Sequence, residues 1–145
     1  MKKTFVALFA FLAVGITASI ASEPSVDPKI VSAFEKEFSF AKNVKWETKG
    51  PYTQVNFSLN DQGIVAWYNE EAELVSTARN ILYNQLPLSV IKTLENDYAN
   101  ASLYAMVEIN RDDETFYHIH AETKSKKLLL KATPVGNITV IKKIK

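Results

Sequence analysis

Apolar positions along this chain follow two periods, one helical and one alternating, and their order recurs. After Pro28, Ile30, Phe34 and Phe38 with Ala33 line one helical face, while Lys29, Glu35 and Lys36 fall elsewhere. Asp27 before Pro28 suits an N-cap followed by the first helical residue. From Tyr52 the period becomes two: Val55, Phe57 and Leu59 point one way, Tyr52, Gln54, Asn56 and Ser58 the other. One apolar and one polar face predicts an antiparallel strand packed on a single side. Asn60-Asp61-Gln62-Gly63 reads as a turn, with Gly63 free to take positive φ, and residues 64–68 resume as the partner strand. Residues 73–79 read as a further strand beyond Glu70-Glu71.

The second half repeats this order. Pro87 opens a helix with Val90, Ile91, Leu94 and Tyr98 on its buried side, and strands follow at 103–109, 115–122, 127–133 and 138–144. Residues 110–114 form a charged turn, and Pro134-Val135-Gly136-Asn137 separates the last two strands. The set Ile30, Phe34, Phe38, Ala41, Val44, Trp46 returns sixty positions later as Val90, Leu94, Tyr98, Ala101, Tyr104, Met106. The expected fold is α+β: two tandem helix-plus-antiparallel-strand repeats, about 27–80 and 86–145, forming one sheet with the helices packed on one face.

The start of the chain reads differently. Lys2-Lys3, an apolar run over residues 5–16 and the small residues Ser19-Ile20-Ala21 predict a signal peptide over 1–21 and a domain over 22–145. The apolar run is short for a membrane span, so no stable membrane insertion is expected after cleavage. There is no cysteine to carry a lipid or a disulfide, and the expected location is periplasmic or secreted. Without Lys2 and Lys3, 15 basic residues face 16 acidic ones. That balance argues against a nucleic-acid partner, since phosphate contacts demand a basic excess. The lysines near the end (Lys142, Lys143, Lys145) suit an edge strand guarded against pairing.

The order of Pro28, a helix with Phe34 and Phe38, Val44-Lys45-Trp46, then Tyr52, Val55, Phe57, Gly63, Ala66 and Tyr68 resembles the exported beta-lactamase-inhibitor-like, PepSY-like family of Bacteroidetes. Leu86-Pro87-Leu88-Ser89-Val90 through Tyr98, with Tyr117 later, resembles that family's second unit. The resemblance covers nearly all of the chain from Asp27 onward, and order and spacing carry it. Glu70-Glu71-Ala72-Glu73 departs from it, standing where relatives often have a glycine turn, and no tryptophan in the second half matches Trp46. The resemblance implies binding through the open face of the sheet, and inhibition or modulation of an envelope hydrolase or peptidase.

Candidate chemistry is sparse. His118-Ile119-His120 on a strand puts both imidazoles and Glu122 on one face, a weak zinc-ligand pattern lacking a marked third ligand. No serine sits among nucleophile-elbow glycines, and Asp112-Asp113-Glu114 and Glu70-Glu71 lie in predicted turns where nothing raises a carboxyl pKa. The pattern points away from an enzyme, and no cofactor is expected. If Val55, Phe57, Tyr117 and Ile119 face the helices, the opposite face carries Tyr52, Tyr104, Met106, Phe116, His118 and His120. One of Trp67 and Tyr68 joins them, and alternation leaves open which. Phe116 and Met106 exposed together would form a binding patch. The expected function is a non-enzymatic exported binding module for a protein or peptide partner in the cell envelope. The alternative is a periplasmic small-ligand or metal-ion sensor on the His118/His120 face.

Overall fold

The structure, a computed structural model, describes residues 25–144, so the expected signal peptide lies outside the described residues. The element order is α1 (Pro28–Glu37), β1 (Lys42–Lys49), β2 (Tyr52–Leu59), β3 (Gln62–Tyr68), β4 (Leu74–Ile81), a short 3-10 turn (Tyr83–Gln85), α2 (Leu88–Asp97), β5 (Ser102–Arg111), β6 (Glu114–Glu122), β7 (Lys127–Ala132) and β8 (Ile138–Ile144). The strands form a single eight-stranded sheet in chain order, antiparallel at every junction. The fold is mixed α+β and mostly sheet. Among the described residues no helix is long and apolar enough to cross a membrane.

Local chemistry explains most boundaries. The Asp27 carboxylate accepts from the Lys29 backbone N–H at 2.9 Å, and Pro28 occupies the first turn, where its missing N–H costs nothing. Pro87 precedes α2 without a side-chain cap, and its carbonyl accepts from Val90 and Ile91, each at 3.0 Å. Both helices end alike. Phe38 N–H reaches Phe34 O at 2.8 Å and Tyr98 N–H reaches Leu94 O at 2.9 Å; Ala41 and Ala101 then bond back to Phe38 and Tyr98. The β2–β3 hairpin turns through Asn60 (φ 49°) and Asp61 (φ 62°), and β5–β6 through Asp112 (φ 51°) and Asp113 (φ 61°). Two consecutive left-handed residues match the twist of the flanking strands, and Asn and Asp tolerate that region best. The freedom of Gly63 is not used by the turn: Asn60 and Asp61 make it, and Gly63 lies inside β3 opposite Ser58.

The β3–β4 ladder, with its register shift between Trp67 and Tyr68, places both helices on one face. Leu74 packs in the α1 core and Ile81 in the α2 core, and the register puts both on the same side of the sheet. Under α1, Ile30 and Phe34 meet Val55, Phe57, Ala66 and Tyr68. Phe34 lies 5.0 Å from the Phe57 ring, 5.1 Å from Trp46 and 5.5 Å from Phe38, edge-on or tilted. Under α2, Val90 and Leu94 meet Ile81, Leu86, Met106, Ile119 and Leu130. Burying each large side chain contributes roughly 1.5–3 kcal/mol, so these two stripes, not intrinsic propensity, hold ten-residue helices that would be marginal alone. The β7–β8 turn is pinned to α2: Ser89 Oγ donates to Pro134 O, and Thr93 Oγ1 donates to Gly136 O at 2.9 Å.

Candidate functional site

The face opposite the helices is the one broad surface on which the sequence-selected residues gather. Register builds it in rows across the strands. Val65, Ala78, Ile109 and Phe116 are successive cross-strand partners and form an apolar floor from β3 to β6. Beside it runs Gln54, Trp67, Ser76 and Arg111, and on the other side Asn80, Val107, His118 and Lys131. Tyr104, His120 and Leu129 make the next row. Aromatic and aliphatic groups thus lie within a polar and charged margin, the composition typical of protein interfaces.

Two clusters stand out. At one end Tyr52, Trp67, Val75, Ser76, Arg111 and Asp112 line a cleft of about 480 Å³. Tyr52 is 43% exposed there, and Trp67 is half-buried. In the second half Tyr104, 39% exposed, lies with its ring centroid 5.4 Å from His120. Phe116 stacks at 5.3 Å from His118, and the Lys131 ammonium sits 4.2 Å above the Phe116 ring, a favourable cation–π placement.

Three expectations about this face need correction. Met106 is buried among the α2 core residues, because β5 carries a bulge between Tyr104 and Val107. Ala105 takes φ 47°, which reverses the phase of the strand: Tyr104 stays outside, Met106 turns in, and Val107, Ile109 and Arg111 come out. Tyr68 is likewise in the α1 core, opposite Thr53 and Leu74, so Trp67 is the outward member of that pair. Burial, aided by the Glu37 carboxylate, pushes the Tyr68 hydroxyl up to about 12. Phe116 faces outward but is buried, since Lys131 and His118 cover it. The exposed Phe116–Met106 patch does not form. Val107 and Ile109 escape a reading by alternation because the bulge that turns them outward has no sequence signal. Alanine gives no hint of a left-handed backbone.

The chemistry of the face is that of contact. His118, His120 and Glu122 share it, but their rings turn to separate neighbours, Phe116 and Tyr104. Among the described residues no group of three or more histidines and carboxylates is placed to hold a metal ion. Burial lowers the His118 pKa, and Lys131, His120 and Arg111 lower it further, so His118 is held neutral more firmly than an exposed histidine. Asp112, Asp113, Glu70 and Glu71 are exposed in their turns.

A helix-backed antiparallel sheet defines the structural class, and solved structures share that fold. A BLIP-like protein of Bacteroides fragilis matches with a TM-score of 0.73 and 23% identity, covering 81% of this chain and 86% of that one. A DUF2874 family protein of Bacteroides uniformis matches at TM-score 0.73 and 15% identity, covering 82% and 88%. A presumed periplasmic protein of Bacteroides eggerthii matches at 0.72 and 15% over the same shares, 82% and 88%. At these identities the likeness is one of fold. No protein-family model matches the chain, and no curated protein matches it significantly.

Proposed function

We propose that this protein is a non-enzymatic binding module of the cell envelope that engages a protein or peptide partner through the outer face of its sheet. The observation that carries the reading is the outward apolar row Val65–Ala78–Ile109, with Tyr52, Trp67 and Tyr104 on the same face and the opposite face occupied by helices. Tyrosine and tryptophan are the residues that most often dominate binding energy at such surfaces. The BLIP-like fold neighbour supports an inhibitor-like role, and the specific version is restraint of an envelope hydrolase or peptidase. A neighbour presumed periplasmic supports that location, alongside the signal peptide expected over 1–21 and a domain from 22 to 145.

The same reading takes the domain as a tandem repeat of the BLIP-like, PepSY-like kind, with units near 27–80 and 86–145. The matched helix ends support it, and so do the turns. Asn69 N–H to Glu73 O (3.1 Å) with left-handed Ala72 (φ 65°) parallels Thr133 N–H to Asn137 O (2.9 Å) with Gly136 (φ 91°). The test is substitution on the outer face. Tyr52→Asp and Tyr104→Asp alter exposed side chains, so the fold should survive while partner capture weakens by an order of magnitude or more, the cost of losing one hot-spot aromatic. Unchanged capture by both folded variants would reject the outer face as the binding surface.

A further inference from the structure

A second surface lies at the edge of the sheet, on the helix side. β1 and β8 end the strand order, and beside β1 the chain leaves a cleft of about 420 Å³ lined by Val31, Phe34, Phe38, Val44 and Trp46. Val44 is 38% exposed and Phe40, in the turn between α1 and β1, is 81% exposed.

The second half shows what fills the matching place. β1 and β5 share a bulge, with register shifts between Lys42 and Lys45 and between Tyr104 and Val107, at left-handed Asn43 (φ 55°) and Ala105 (φ 47°). Val44 of β1 therefore corresponds to Met106 of β5 and Trp46 to Glu108, which corrects the sixty-position matches of Val44 with Tyr104 and Trp46 with Met106 by two residues. On β5 this bulge does not block pairing: β4 adds alongside, with Ile81 opposite Met106 and Arg79 opposite Glu108. Ile81 packs inward, and Tyr83, two residues on, packs against the α2 core beside Glu95. Leu86 completes the seal. On α1 the counterpart of Glu95 is Glu35, which lines the open cleft. Nothing among the described residues plays the part of β4 for β1. The outward positions of β1 are Lys42, Lys45, Glu47 and Lys49, a mostly cationic strip.

We propose that the β1 edge and the α1–β1 cleft form a strand-addition site for an extended segment of a protein partner. The segment sets an aliphatic side chain on Val44, sets an aromatic hydroxyl toward Glu35 two residues later, and carries carboxylates outward against Lys42, Lys45 and Lys49. Main-chain pairing supplies the affinity and the alternating pockets supply the selectivity. The charge pattern also disfavours a second copy's β8, whose Lys142 and Lys143 would meet like charge. The inference rests on the tandem-repeat correspondence and concerns an edge apart from the outer face, so the two sites fail or hold independently.

The probe is a synthetic nonapeptide with the sequence of residues 78–86, Ala-Arg-Asn-Ile-Leu-Tyr-Asn-Gln-Leu, and its N80E/L82E form, whose glutamates point outward on the Lys45 and Lys42 side of the strip. In the Trp67→Phe protein, Trp46 is the sole tryptophan reporter. The expected result is a saturable Trp46 fluorescence change, tighter for the glutamate peptide and weakened by salt, with slowed amide exchange along β1. Replacing the peptide isoleucine by aspartate, or Val44→Glu in the protein, should abolish both signals. No saturable change with either peptide overturns the proposal, as does a change that survives the aspartate peptide. Concentration-dependent dimerisation that protects the β1 amides without peptide also overturns it, in favour of self-pairing.

Discussion

The two halves of the molecule use one framework to different ends. The first half packs rings: Phe34, Phe38, Phe57 and Trp46 meet at centroid distances of 4.7–5.5 Å. The second packs aliphatics around Val90, Leu94, Ile119 and Leu130 and is sealed on one flank by Ile81, Tyr83 and Leu86. Its last hairpin is hydrogen-bonded onto α2, whereas the corresponding turn of the first half closes mainly on itself, Asn69 Oδ1 accepting from the N–H groups of Glu71 and Glu73. A buried flank thus marks the half that has a neighbouring strand, and an open cleft marks the half at the sheet's edge.

Four substitutions would sharpen that contrast. Phe34→Ala removes the hub of the ring cluster and should cost roughly 3–5 kcal/mol by denaturant titration, as large aromatic truncations do. Gly136→Ala comes next. A Cβ there would lie 2.8 Å from Ser89 O at φ 91°, so overpacking and backbone strain together should cost roughly 2–4 kcal/mol. The matched Ala72→Gly should do the opposite: Ala72 holds φ 65°, and relieving it should raise stability by about 0.5–1 kcal/mol. Opposite signs at two equivalent turns would be difficult to explain without the internal correspondence. Tyr68→Phe is the smallest. The Tyr68 hydroxyl is buried without a hydrogen-bond partner, so removing it should leave the melting temperature level or slightly raised.

A fifth test concerns pH. The folded-state pKa of His118 lies below the ordinary histidine value of about 6.5. As pH falls through that value the unfolded chain takes up a proton that the folded state resists, so stability drops until the folded pKa is passed. At higher pH the contribution is fully present. His118→Phe should flatten this part of the melting-temperature profile, and an unchanged slope would locate the titration elsewhere.

Much of the architecture was legible because burial on one side writes a period into the chain. The helices after Pro28 and Pro87, the alternation in β2 and β6 and the outward placement of His118 and His120 follow from spacing alone. β1, with Lys-Asn-Val-Lys-Trp-Glu-Thr-Lys, is not read as a strand from the sequence, where alternation begins at Tyr52, since an edge strand covered on one side needs few apolar residues. The candidate surface was read less well. Tyr104 and Met106 stand two apart, so unbroken alternation puts both outward, and a single left-handed Ala105 inverts that phase. Trp67 and Tyr68 were indistinguishable by pattern, and the ladder to β2 and β4 separates them. Phe116 points outward, yet Lys131 from the next strand covers it, a contact between residues fifteen positions apart that alternation does not encode.

The most direct test of the central claim is site-specific photo-crosslinking in the native cell envelope, with a benzophenone side chain placed singly at Tyr52, Tyr104, Lys92 or Glu95. The first two positions lie on the outer face of the sheet and the last two on α2. Recognition through the sheet predicts one dominant protein adduct from Tyr52 and Tyr104 and none from Lys92 or Glu95. Adducts confined to the α2 positions, or equal from all four, would contradict it.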